Sequence, residues 1–346
     1  MKTIYLSNEE FKLESGQGLH GIQITYSDYG SKNSDRVIWV CHALSGSSEV
    51  HTWWAGLVGD GKPFDPRVDR IICANVLGSC YGTTGAQDLE RPLDFPAVTV
   101  KDMVQAHELL ARHLNLKKID ILIGASLGGQ QALEWAISNP LFIKHLLLIA
   151  TNAVHSAFGR AFNEAQRLAL LADKSFGDKN GGEAGLLAAR AVAMLSYRSY
   201  TDFELKQSET ELKSDGFKAA SYVRYQGEKF ISRFNAYAYW YLSKAMDSHD
   251  IQRGRSGSLQ EVLKLVKAKT LVIGIDSDAL FPVSEQKFLA ENIPDATFGL
   301  IESPHGHDSF LIDYLKLNKL IEDFVEQKKK VSAPTVLKRK VNYSYS

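Results

Sequence analysis

Ile119-Asp120-Ile121-Leu122-Ile123 is short and apolar, Gly129-Gln130-Gln131-Ala132-Leu133-Glu134-Trp135-Ala136 is rich in helix formers, and Gly124-Ala125-Ser126-Leu127-Gly128 joins them. The first run reads as a buried strand and the second as a helix. A serine at a strand-to-helix turn, with glycine two positions before and two after, is the pattern of a nucleophile elbow. The glycines serve a steric need, because a side chain at either position would meet the neighbouring strand or helix. Such a turn lifts the Ser126 hydroxyl to the top of a sheet. It also sets the Leu127 N–H, at the amino end of the helix, toward a developing oxyanion.

Two later segments supply partners in a fixed order. Thr270-Leu271-Val272-Ile273-Gly274-Ile275 is another buried-strand run, followed by Asp276-Ser277-Asp278-Ala279-Leu280-Phe281-Pro282, in which Asp276 and Asp278 both suit an acid. Thr297-Phe298-Gly299-Leu300-Ile301 reads as the last strand, followed by Glu302-Ser303-Pro304-His305-Gly306-His307-Asp308. Strand-end carboxylates commonly cap helices and most histidines merely pack. Three such motifs, each after a strand and in the order Ser, Asp, His, are much rarer together. That order belongs to the α/β-hydrolase fold and to neither chymotrypsin nor subtilisin.

The 346-residue chain suits one large α/β domain with an insertion, or two small domains. Its 45% hydrophobic and 23% charged residues are those of an ordinary globular protein. Forty basic and forty acidic residues cancel, which leaves no electrostatic footprint for nucleic acid or an anionic membrane. The first ten residues lack the apolar core of a signal peptide and no apolar run is long enough to cross a bilayer. Cys41, Cys73 and Cys80 have no metal-ligand spacing and read as reduced thiols, so a cytoplasmic protein without a metal is expected.

Strands are expected at Ile4–Leu13 and Leu19–Tyr26 as an antiparallel pair, then at Val37–Cys41, Arg70–Asn75 and His145–Ala150, with a helix at Val100–Leu114. The alternation implies a mainly parallel sheet with helices on both faces. From residue 152 to residue 261 the strand rhythm stops, and Phe162–Leu171, Gly185–Leu195 and Phe230–Ala245 read as helices. The expected organisation is an α/β core at 1–151 and 262–327, a helical lid at 152–261 and a basic, flexible tail at 328–346.

The chain also resembles the homoserine O-acetyltransferases of the α/β-hydrolase superfamily. The resemblance lies in His42-Ala43-Leu44-Ser45-Gly46, Trp53-Trp54-Ala55-Gly56-Leu57-Val58-Gly59 and Asn75-Val76-Leu77-Gly78-Ser79-Cys80-Tyr81-Gly82-Thr83-Thr84-Gly85. It continues through the elbow, Arg224-Tyr225-Gln226-Gly227-Glu228-Lys229-Phe230, Asp278-Ala279-Leu280-Phe281-Pro282 and Gly306-His307-Asp308-Ser309-Phe310-Leu311. The family pattern implies Asp278 as the triad acid, His307 as the base and Leu44 as the second oxyanion donor. It implies substrate contacts at Arg198, for an α-carboxylate, and Asp308, for an α-ammonium. A homodimer through the helical insertion is implied as well. Departures are Ala125 and Leu127 where many members carry Gly and Met, Ser45 where Thr is usual, and a shortened loop at residues 86–91.

The resemblance implies acetyl transfer from acetyl-CoA to L-homoserine through an acetyl-Ser126 ester, with no bound cofactor, as a step of methionine biosynthesis. The alternatives are a succinyl-CoA donor or an L-serine acceptor, a small-ester hydrolase, and a binding protein that kept the fold and lost the chemistry. The last usually lacks a triad member, and here Ser126, Asp278 and His307 are all present.

Overall fold

Alternating buried strands and helices assemble into one eight-stranded sheet in the computed structural model, which describes residues 2–331. The strands are β1 (Lys2–Lys12), β2 (Gly18–Tyr29), β3 (Val37–Cys41), β4 (Arg70–Ala74), β5 (Ile119–Ala125), β6 (Ile143–Ile149), β7 (Lys269–Ile275) and β8 (Ala296–Ile301). Their order in space is β1-β2-β4-β3-β5-β6-β7-β8. β1 and β2 pair antiparallel, as do β2 and β4, while every pairing from β4 to β8 is parallel. The expected α/β-hydrolase architecture is what the chain adopts.

Strand periodicity divides the core in two. On β3, Trp39 and Cys41 face one layer while Ile38 and Val40 face the other; on β6, Leu146 and Leu148 oppose Leu147 and Ile149. Helices α1 (Val50–Trp53), α2 (Val100–His113) and α3 (Leu127–Ser138) lie between the first six strands. α2 begins at a capping box: the Thr99 side chain accepts from the Asp102 N–H, and the Asp102 carboxylate accepts from the Thr99 N–H at 2.8 Å. The other Asp102 oxygen accepts from the Glu14 N–H at 2.6 Å, fastening the β1–β2 hairpin to the helix layer.

Between β6 and β7 the chain forms α4 (Ala157–Leu171), α5 (Glu183–Tyr197), α6 (Tyr200–Gln207), α7 (Lys218–Ile231), α8 (Ala236–Asp247) and α9 (Leu259–Leu263). The stretch Phe230–Ala245, expected as one helix, is two. Asn235 sits in extended backbone and its Oδ1 accepts from the N–H groups of Tyr237 and Ala238, so it caps α8 and ends the run from α7. The remaining helices are α10 (Val283–Asn292), α11 (Ser309–Ile312) and α12 (Tyr314–Val331). α12 continues through residues 328–331, the beginning of the stretch expected as a flexible tail, and the rest of that stretch lies outside the described residues. Cys41, Cys73 and Cys80 are free. No helix among the described residues is long and apolar enough to cross a membrane.

Candidate active site

Ser126 stands between β5 and α3 with φ 56° and ψ −126°, a positive φ that costs a side-chain-bearing residue about 1–3 kcal/mol. Close packing holds it there. A Cβ on Gly124 would overlap the carbonyl of Gly128, and one on Gly128 would overlap the carbonyl of Cys41. The Ser126 N–H donates to Ile149 O at 3.0 Å, and the Thr151 hydroxyl donates to Ser126 O at 2.9 Å. α3 begins at Leu127, so its N–H belongs to the set that helix geometry leaves unpaired.

The two candidate acids and two candidate bases separate by geometry. Asp278 Oδ2 is 2.6 Å from His307 Nδ1, and Asp278 Oδ1 accepts from the N–H groups of Leu280 and Phe281 at 2.9 Å each. Asp276 instead accepts from the Ser303 N–H at 2.8 Å, a tie between the two loops. His305 Nδ1 is 2.6 Å from Asp202 Oδ1. The His307 ring is buried, stacked on Phe281 with centroids 5.1 Å apart and set edge-on to Phe310 at 5.5 Å. Burial draws the His307 pKa down, but the charge and hydrogen bond of Asp278, with Asp308 beyond it, more than reverse this and raise it.

Ser126 and His307 both line one cavity of about 570 Å³, together with Leu44, Tyr197 and Asp308. The loop carrying Leu44 is fixed by His42, whose ring is within 2.8 Å of Ala43 O through Nδ1 and accepts the Val76 N–H at 3.1 Å through Nε2. Burial pulls the His42 pKa down to about 4, so the ring stays neutral and can donate and accept at once. Gln131, wholly buried on α3, donates to both His42 O at 3.2 Å and Leu127 O at 3.1 Å. One amide thereby spaces the two segments whose N–H groups are expected to form the oxyanion hole.

Arg198 is placed differently from the sequence reading. It does not line the cavity; it lies behind Asp308, 3.3 Å from its Oδ2, with Asp202 at 3.4 Å on the other side. The arginine on the cavity wall is Arg190, whose Nε and Nη1 are buried without a hydrogen-bond partner among the described residues. Its guanidinium lies over the rings of Phe230, 4.8 Å from the centroid, and Tyr197, 5.2 Å away. The spacing of Arg190 and Tyr197, seven apart on α5, puts both on one helix face, a signal available in the sequence.

The chain is 45% identical over 333 residues to the homoserine O-acetyltransferase of Cyclobacterium marinum, an alignment covering 93% of this chain and 94% of that one. The chain belongs to the homoserine O-acetyltransferase family. The family described by the alpha/beta hydrolase fold matches residues 36–314. The homoserine O-acetyltransferase of Trichormus variabilis is 42% identical over 91% of both chains. The solved homoserine O-acetyltransferase of Staphylococcus aureus superposes with a TM-score of 0.81 at 29% identity, over 94% of this chain and 95% of that one. Family membership and the cavity geometry therefore concern the same part of the chain.

Proposed function

We propose that this protein transfers the acetyl group of acetyl-CoA to the side-chain hydroxyl of L-homoserine. The observation that carries the reading is the meeting of Ser126, His307, Leu44, Arg190 and Asp308 on one cavity. His307, oriented by Asp278, takes the Ser126 proton as the oxygen attacks the thioester carbonyl. The oxyanion rests on the N–H groups of Leu44 and Leu127, and collapse of the tetrahedral adduct breaks the C–S bond. His307 then returns its proton to the departing CoA thiolate. In the second half, homoserine presents its α-carboxylate to Arg190 and its α-ammonium to Asp308. His307 takes the proton of its hydroxyl, which attacks the acetyl-serine ester, and that proton passes to Ser126 as the ester bond breaks.

Transfer rather than hydrolysis requires a dry site and a held acceptor. α5 and α7 of the helical insertion contribute Arg190, Tyr197, Gln226, Lys229 and Phe230 to the cavity wall, which supports a lid role for that segment. On this reading formation of the ester is a step of methionine biosynthesis, as the family resemblance implies. Leu195, Tyr200 and Leu205, exposed on or beside α5 and α6, support the expected homodimer through this segment. A second reading, a succinyl-CoA donor, draws support from Lys229 and Arg233, which with Arg190 give the cavity three cations for a distal carboxylate.

Purified protein offered acetyl-CoA or succinyl-CoA, with L-homoserine, with L-serine or with no acceptor, decides between these. Free CoA is followed and the ester is identified by mass. Release that needs acetyl-CoA and homoserine together is the expected result. Equal release without acceptor would make the protein a hydrolase.

A further inference from the structure

Asp202 is almost wholly buried near the start of α6, yet it belongs to no element of the chemistry above. Its Oδ1 receives Lys206 Nζ at 2.7 Å and lies 2.6 Å from His305 Nδ1, while its Oδ2 faces Arg198 Nη1 at 3.4 Å. Burial pushes its carboxyl up, but the bonds from Lys206 and His305 and the Arg198 charge outweigh this, and it stays ionised at neutral pH. Arg198 has Asp308 on its far side, with Nε 3.3 Å from Oδ2. That contact is an ion pair without a formed hydrogen bond, because Arg198 Nε is buried and has no hydrogen-bond partner among the described residues. The guanidinium is thus shared between two carboxylates, donating a hydrogen bond to Asp202 Oδ2 and meeting Asp308 only as an ion pair.

The same junction is moulded to the histidine loop. The Ser199 hydroxyl donates to Pro304 O, and a Cβ on Gly306 would press on the backbone of Arg198 and Ser199. Asp202 therefore reaches the chain on both sides of His307, His305 directly and Asp308 through Arg198.

We infer that Asp202 is a positioning residue for the acceptor site: by sharing Arg198 with Asp308, it leaves the Asp308 carboxylate free to take the ammonium of an α-amino-acid acceptor. A mostly buried guanidinium that loses one of two carboxylates closes on the other, because an unpaired buried cation is costly. Without the Asp202 charge, Arg198 seizes Asp308 and competes with substrate. This rests on the proposed reading of the site, in which Asp308 meets the amino group.

The test uses the full chain and both halves of the reaction. In Asp202→Asn the burst of CoA from acetyl-CoA alone stays within about twofold of wild type, while KM for L-homoserine rises about tenfold. Adding Arg198→Met to that variant returns KM to within about threefold of wild type, since the competitor for Asp308 is gone. A purely structural role for Asp202 gives instead a weakened burst and further damage in the double variant, and either result overturns the inference. Arg198→Met alone covers the case of an insoluble Asp202→Asn: it keeps KM at or below the wild-type value, and a tenfold rise sinks the proposal. A wild type whose CoA release ignores every amino acid overturns the proposed function and this inference together. An acceptor-dependent wild type with unchanged KM in Asp202→Asn overturns the inference alone.

Discussion

Asp278 stands 2.6 Å from the inner nitrogen of His307 while its other oxygen accepts two backbone N–H groups, from Leu280 and Phe281. Three donors converge on one carboxylate, so an amide in its place must aim its own NH₂ at a donor in either orientation. Asp278→Asn is expected to lower kcat about 10³- to 10⁴-fold with little change in the KM for acetyl-CoA, through loss of the reactive imidazole tautomer. Steady-state kinetics on the folded variant check this, and a loss below tenfold would remove Asp278 from the triad.

The same pair fixes the pH response. Neutral His307 is the base, and Asp278 and Asp308 hold its pKa above the ordinary 6.5 despite burial. kcat/KM for acetyl-CoA should therefore fall as pH drops, on an acid limb centred above pH 6.5. In Asp278→Asn the residual activity should show that limb at lower pH, since burial then acts with less opposition. A wild-type limb below the ordinary histidine value contradicts the assignment.

Glu285, at the start of α10, gives a prediction about stability. It accepts from Asn152 Nδ2 at 3.0 Å, and Asn152 Oδ1 accepts from Gln130 of the elbow helix at 3.0 Å. Burial, with a smaller push from the Asp278 charge, raises its pKa from 4.5 to about 7. The folded chain thus binds a proton that the unfolded chain releases between these values, and stability falls as pH rises through that window. Glu285→Gln removes the slope while keeping an oxygen for Asn152. The variant should melt about 2 °C above wild type at pH ~8, with the gap closing near pH ~5. A gap that widens on acidification would refute the assignment.

The sequence made the triad region legible because its residues depend on strand ends. Ser126, Asp278 and His307 each follow a strand-like run, β5 and β7 inside the sheet and β8 at its edge, and parallel topology brings the ends of such strands to the same side of the sheet. Asp276 against Asp278, and His305 against His307, were separable only through the family pattern. In these irregular loops residues two positions apart meet different partners, Asp276 the Ser303 N–H and Asp278 the His307 ring, and composition carries no record of that. The break at Asn235 is not legible in the sequence because the flanking aromatic stretches are equally apolar, and a single capping side chain separates the two helices. Arg198 belongs to the short run Leu195-Ser196-Tyr197-Arg198. It lies one residue past the end of α5, where the chain turns toward α6 and the side chain is delivered behind Asp308 rather than into the cavity.

Arg190 is the residue on which that correction can be tested. Its guanidinium is stacked on aromatic rings and keeps two buried nitrogens unpaired beside Ser126 and His307, an arrangement that costs stability unless an anion completes it. The acetyl group being transferred carries no charge, whereas the acceptor carries a carboxylate. Arg190→Met should therefore leave the CoA burst within about threefold and raise the homoserine KM about 30-fold or more. Arg190→Lys should fall between the two, because an ammonium restores the charge without the two-pronged geometry. Equal loss in both half-reactions would make Arg190 a wall of the cavity rather than the carboxylate's partner. A lost burst with intact acceptor binding would move it to the donor, and the succinyl reading would gain.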